Sequence, residues 1–216
     1  MAYDKVVDST VLENGLSSIA DAIREKGGLG DQLASPLTFP SGFVSAIEGL
    51  SGGGATEPYI EETYDQNGQL IDAVMHGYTS IRPYAFQHCS VLVSVSGISA
   101  ITSIGNYAFS QCSNLALTSL PAGITSIGNN AFNSCGKLAL TSMPAGITSI
   151  GSYSFSNCTG LTTITFEGTP QSIDSHAFSG STKLTTINVP WAEGAVAGAP
   201  WGATNATINY NYTPEG

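Results

Sequence analysis

The chain is 216 residues long, only 10% of them charged, with a formal net charge of −10. That length suits one elongated unit with a substantial core, and the charged share lies far below the ~25% usual in soluble domains, so Ser, Thr, Gly and Asn do much of the solvating. Twelve of the sixteen acids and three of the six bases fall in residues 1–80. There is no Lys/Arg cluster of the kind phosphate binding needs and no stretch near the ~20 apolar residues of a spanning helix, which argues against nucleic acid and membrane insertion alike.

Residues 9–27 read as an amphipathic helix. Thr10 and Glu13 form a capping-box pattern, and Gly27-Gly28 supplies the stop. Leu12, Leu16, Ile19 and Ile23 share one face, which either packs on the following segment or self-associates as a short heptad seam. "FPSGFVSAIEGL" gives a second short helix with Phe43, Val44, Ile47 and Leu50 on one side, and Ser51–Pro58 is a flexible linker by composition. Residues 1–52 are thereby expected to be a helical head for attachment or assembly, its face made by Leu12, Leu16, Ile19, Ile23, Phe43 and Ile47. The opening "MAYDKVVDSTV" lacks a basic start followed by an apolar run, so any exit from the cell is expected by assembly into a larger particle, by lysis, or through an export route that the sequence does not show.

Residues 53–80 read as a β-hairpin. Tyr59, Glu61 and Thr63 alternate with other residues up to Asn67-Gly68, a favoured two-residue turn, and Leu70-Ile71 begin the return. The hairpin stands where it can cover the first open core face of the stretch that begins at Ile81.

Residues 81–189 write one 23-residue unit five times. Phe86, Phe109, Phe132, Phe155 and Phe178 keep that step, as do Ile81 through Ile173 and Leu92 through Leu184. Cys89, Cys112, Cys135 and Cys158 keep it too, with Ser181 in the fifth copy. A fixed period in the range of about 20–50 residues means a solenoid whose units bury their apolar faces against neighbours. The repeat accounts for the cysteines as small buried groups in a ladder, since parallel Cβ vectors make poor disulfide geometry. Copies two and three read "LALTSLP" and "LALTSMP" where copies four and five read "LTTITF" and "LTTINV", so a different inward set is expected there. Residues 190–216 carry Pro190-Trp191, Pro200-Trp201 and the strand-like "ATINYNY", and are expected to close the far end as a C-terminal cap.

The unit resembles the BspA-type leucine-rich repeat, whose I-G-x-x-A-F-x-x-C-x-x-L core is carried best by "SIGNYAFSQCSNL" and "SIGNNAFNSCGKL". The last copy departs from it, with Asp174 for Gly and Ser181 for Cys. The resemblance implies a β-rich (α+β) leucine-rich-repeat solenoid of five units with short helical turns. The head phrase "VVDSTVLENGLSSIADAIREKGG…FPSGFVSAIEGL" resembles an N-terminal segment of tail and other virion proteins of phages infecting Gram-positive gut bacteria, which implies docking to a particle.

No set of polar groups converges in the sequence to suggest catalysis, a metal site or a cofactor. What remains is surface. Tyr84, Tyr107 and Tyr153 occupy one column with Asn130 and His176; they either line a partner-binding surface or pack the turn side. Trp191 and Trp201 either cover the last core face or bind a ligand. Thr and Ser rows such as Thr125-Ser126 and Thr148-Ser149 offer neutral hydrogen-bonding arrays, though Thr is also simply a good strand residue. The expectation is a non-enzymatic virion structural protein of the tail, baseplate or capsid. Its head would dock to other virion proteins, with homo-oligomers possible, and its solenoid would meet a host cell-surface protein or glycan. The alternative is a bacterial cell-surface adhesin of the BspA type.

Overall fold

The structure, a computed structural model, describes residues 58–214. The expected helical head, with Leu12, Leu16, Ile19, Ile23, Phe43 and Ile47, lies outside them. Among the described residues the regular elements are twelve short strands and no α-helix.

The chain enters through the expected hairpin, with β1 (Tyr59–Tyr64) antiparallel to β2 (Leu70–His76). The two-residue Asn67-Gly68 turn gives way to a longer loop organised by Asp65. Its Oδ1 accepts from the backbone N–H of Asn67 at 2.8 Å and of Gln69 at 2.9 Å, the local side-chain bonding that lets Asp shape turns. The bond from Gln69 foremost, helped by those from Asn67 and opposed by burial, holds the Asp65 carboxyl below its ordinary value. On its other edge β2 runs parallel to β4 (Ser94–Ser96), burying Ala73 and Met75 against the first repeat.

Two parallel sheets then climb the solenoid. One stacks β3 (Ser80–Ile81), β5 (Ser103–Ile104), β6 (Ser126–Ile127), β8 (Ser149–Ile150) and β10 (Ser172–Ile173), each Ser opposite the next Ser. The strand period of two sends every Ile into the core and every Ser out. The other stacks β7 (Ser142–Met143), β9 (Thr163–Phe166), β11 (Thr186–Asn188) and β12 (Thr207–Asn209). Its inward set changes as expected. The fourth copy buries Ile164 and Phe166, two apart, and sustains a four-residue strand. The third buries Leu140 and Met143, three apart, which a strand cannot alternate, and only two residues pair.

Between the sheets the five Phe rings stack at 5.2, 5.2, 5.4 and 5.3 Å, all buried, beside the Leu column. The turns that carry them are not the helical turns expected. Tyr84, Phe86 and His88 send their N–H groups to the carbonyls of Asn106, Ala108 and Ser110 in the next unit, at 2.9, 2.8 and 2.8 Å. Ala85, Gln87 and Cys89 close bonds three residues back instead. A helix would satisfy all of these internally; here alternate donors tie one unit to the next. The geometry requires positive φ at non-glycine residues, 64° at Tyr84 and 65° at His88, and the same two places repeat it through the fourth copy.

A sixth turn follows the five legible ones. Trp201 stands 23 residues after Phe178 and its carbonyl accepts the Phe178 N–H at 2.9 Å, while β12 pairs with β11.

Candidate functional site

The first sheet floors an open trough of about 680 Å³ that runs the length of the stack. Its lining repeats: a Ser on the strand, then Gly, then Asn or its substitute. Among the described residues no hydrogen bond engages the hydroxyls of Ser103, Ser126 and Ser149, so they face the trough free to donate and accept. The neighbouring Thr row is different. Thr102, Thr125 and Thr148 already donate their hydroxyls to the carbonyl one unit back, at 3.1, 2.9 and 2.9 Å.

The Gly row has a steric cause. Asn106 Oδ1 accepts from the Asn129 N–H at 2.8 Å, and Asn129 Oδ1 from the Ser152 N–H at 2.9 Å. Each carboxamide lies over the next unit, so a Cβ on Gly128 would stand 2.6 Å from Asn106 N and Oδ1, and one on Gly151 2.6 Å from Asn129 Oδ1. Gly105 follows Pro83 instead, whose backbone N would lie 2.4 Å from an added Cβ, while the two ends of the row carry side chains, Arg82 in the first unit and Asp174 after Ser152. The trough is therefore neutral along its length, with one cation and one anion roughly 20 Å apart at its ends, four strand steps of ~4.8 Å.

The residues after the Asn row form the tyrosine column. It is exposed rather than packed: Tyr84 is 56% and Tyr153 40% accessible, with Tyr107 and Asn130 half-buried. Tyr84 stacks on Tyr107 and Tyr153 on His176, both at 5.2 Å between ring centres.

Trp191 and Trp201 are buried rather than displayed on the surface. They are 6% and 0% exposed and meet Phe166 and each other at the far end of the core, with Trp201 Nε1 donating to Ala197 O at 2.8 Å. The end of a solenoid exposes core, and two indoles are large enough to close it.

Potentially reactive groups are held in structural roles. The four cysteines are free thiols. Cys112, Cys135 and Cys158 donate Sγ–H to the carbonyls of Phe86, Phe109 and Phe132 at 2.9–3.0 Å, and Ser181 repeats the bond to Phe155 at 2.7 Å. Burial above all pushes these thiols up, that of Cys158 to about 12, so they carry little thiolate. Asp174, Ser175 and His176 adjoin, but the Ser175 hydroxyl (3.0 Å) and the Asp174 carboxylate (3.6 Å) meet the same Nδ1. A nucleophile relay needs them on opposite ring nitrogens. Among the described residues no three His, Cys, Asp or Glu side chains converge to hold a metal ion.

The tyrosine column and the Ser row were legible in the sequence; the trough that the Ser row floors was not. Its Ser, Gly and Asn rows stood in the repeated S-I-G-N, where Gly and Asn read as turn residues. The regular pitch of those rows was the signal.

Stacked short units, two parallel sheets and one repeating polar trough define a β-solenoid that displays a surface in register. The chain belongs to the BspA type leucine rich repeat family, whose profile matches residues 79–193 in six copies. Two solved structures are similar. A leucine rich repeat protein of T. pallidum is 23% identical, with 71% of this chain and 79% of that one covered and a TM-score of 0.46. A leucine-rich repeat protein from Bacteroides ovatus ATCC 8483 is 20% identical, with a TM-score of 0.37. The likeness to the latter takes in 64% of this chain and 47% of that one. No curated protein matches the chain.

Proposed function

We propose that the solenoid is a non-enzymatic recognition module that lays an extended, hydroxyl-rich chain, a surface glycan, along its serine–glycine–asparagine trough. One observation carries this reading: a row of unengaged hydroxyls over a glycine strip, repeated unit by unit. The spacing is of the same order as the residue advance of an extended pyranose chain. A neutral trough suits a neutral polymer, because burying charged groups without partners is unfavourable whereas hydroxyls exchange water bonds for protein bonds at little loss. Binding of the full chain to immobilised wall polysaccharide tests it. Ser126→Arg, which places a bulky cation on the trough floor, should weaken binding at least tenfold; unchanged binding removes the trough from the mechanism.

The same module serves an adhesin displayed on a bacterial surface or a particle that seeks one. The particle-borne reading, with residues 1–52 docking to tail, baseplate or capsid, draws on the order of head, glycine-rich linker and module in the sequence. Mass spectrometry of purified phage particles beside the cell-wall fraction of the source strain separates them. Stoichiometric presence in particles supports docking, and presence only on the wall leaves the adhesin.

A further inference from the structure

The tyrosine column has one missing ring. Its members in order are Tyr84, Tyr107, Asn130, Tyr153 and His176, and the two ring pairs flank Asn130. The buried Phe rings of the same units step by 5.2 and 5.4 Å from Phe109 through Phe132 to Phe155. Tyr107 and Tyr153 therefore stand two such steps apart, with no ring between them. A ring placed midway lies one ordinary stacking distance, about 4.5–7 Å, from each. A carboxamide is shorter than a phenol, so beyond Asn130 the space between the two faces is open to solvent.

We infer that this gap is a subsite for a single pyranose ring. The inference rests on the glycan-recognition reading above and names where one sugar residue of that chain is gripped. Three features favour a sugar over a flat apolar ring. The walls are aromatic faces, which suit the C–H faces of a pyranose. The floor is an amide that both donates and accepts, matching hydroxyl groups at a sugar's edge. The Asn row of the trough immediately precedes the column in the chain, so one glycan can lie along the trough and turn a residue into the gap. No backbone rearrangement is needed, because Tyr107, Asn130 and Tyr153 share one conformation, with φ of 57°, 54° and 53°.

That shared conformation supplies the test. Asn130→Tyr restores the missing ring with a residue that the same backbone already carries in both flanking copies, so it fills the gap without unfolding the solenoid. Binding of cello- and chito-oligosaccharides and of Gram-positive wall polysaccharide to the full chain would be measured by titration calorimetry and saturation-transfer NMR. Melting temperature serves as the control. The expected result is at least tenfold weaker binding with Asn130→Tyr at an unchanged or raised melting temperature. Asn130→Gly, which keeps the gap and removes the amide, should weaken binding several-fold. Binding by Asn130→Tyr equal to that of the unaltered chain overturns the subsite. If Ser126→Arg then still abolishes binding, the trough reading survives without it. No binding of any probe by the unaltered chain overturns both.

Discussion

Two aromatic columns climb this solenoid with the same 23-residue period, two residues apart in the unit. The Phe column is complete in five copies and buried throughout; the tyrosine column, exposed or half-buried at each step, reads Tyr, Tyr, Asn, Tyr, His. Where rings adjoin, the spacing is nearly the same, 5.2–5.4 Å inside and 5.2 Å outside. The backbone ladder sets that pitch, so regular stacking does not report burial. Tolerance does. Inside, each ring is bounded on every side and a smaller residue leaves a cavity. Outside, Asn130 simply admits solvent.

The largest expected effect tests the inner column. Phe132→Ala should lower stability by about 3–5 kcal/mol in chemical denaturation; a loss under about 1 kcal/mol means the ring is not core. The next sharpens the comparison by asking whether the outer face is free of constraint. Gly128 lines the trough, yet its substitution by Ala drives a Cβ into Asn106, and overpacking of that kind costs about 1–3 kcal/mol. Adding Asn106→Ser, which copies the Ser152–Asp174 pairing, should recover part of the loss. No recovery would show that the backbone, rather than the carboxamide, sets the limit.

Most of the solenoid was legible because its rule is written five times. The inward Ile, Phe and Leu columns followed from period alone, and so did the buried ladder of thiols. Three things escaped. The turn's hand was hidden because I-G-x-x-A-F carries residues compatible with a helix, while the bonds that defeat one run to the next unit and leave no mark within the phrase. The sixth turn was hidden because Trp201 fills the Phe place with neither a Cys nor a Leu to follow in step. Burial of the tyrosine column could not be read at all, since an amphipathic ring at a regular pitch fits either side of a turn. The trough fell between these cases: the period already puts Ser103, Ser126 and Ser149 in one row, but only the strand pairing sets that row beside the Gly strip as one open floor.

The Cys column is a second interior ladder, polar where the Phe column is not, and pH can distinguish the two. Folded-state burial raises the thiols of Cys112, Cys135 and Cys158, while an unfolded thiol ionises near pH ~8.5. Above that value the unfolded chain binds fewer protons than the folded one. Stability is thus intact below it and falls as pH rises toward the folded values, by about 1.4 kcal/mol per pH unit for each thiol. Cys135→Ser keeps a donor to the Phe109 carbonyl, as Ser181 does to Phe155. Denaturation at a series of alkaline pH values should show that variant with one thiol's share of the slope removed and near-normal stability at pH ~7. An identical slope would mean that Cys135 is not protected by burial.

The smallest expected effect closes the comparison from the outside. Tyr153 stacks on His176 with a 30° tilt and leaves its other face toward Asn130 in solvent. Its backbone conformation persists in Tyr153→Ala, so the variant loses one exposed ring contact, worth about 0.5–1.5 kcal/mol when buried and less here. We expect a change below about 1 kcal/mol, together with weaker glycan binding. A loss rivalling that of Phe132→Ala would place the tyrosine column in the core. The contrast between the columns would then be one of composition alone, and the gap over Asn130 a packing defect instead of a site.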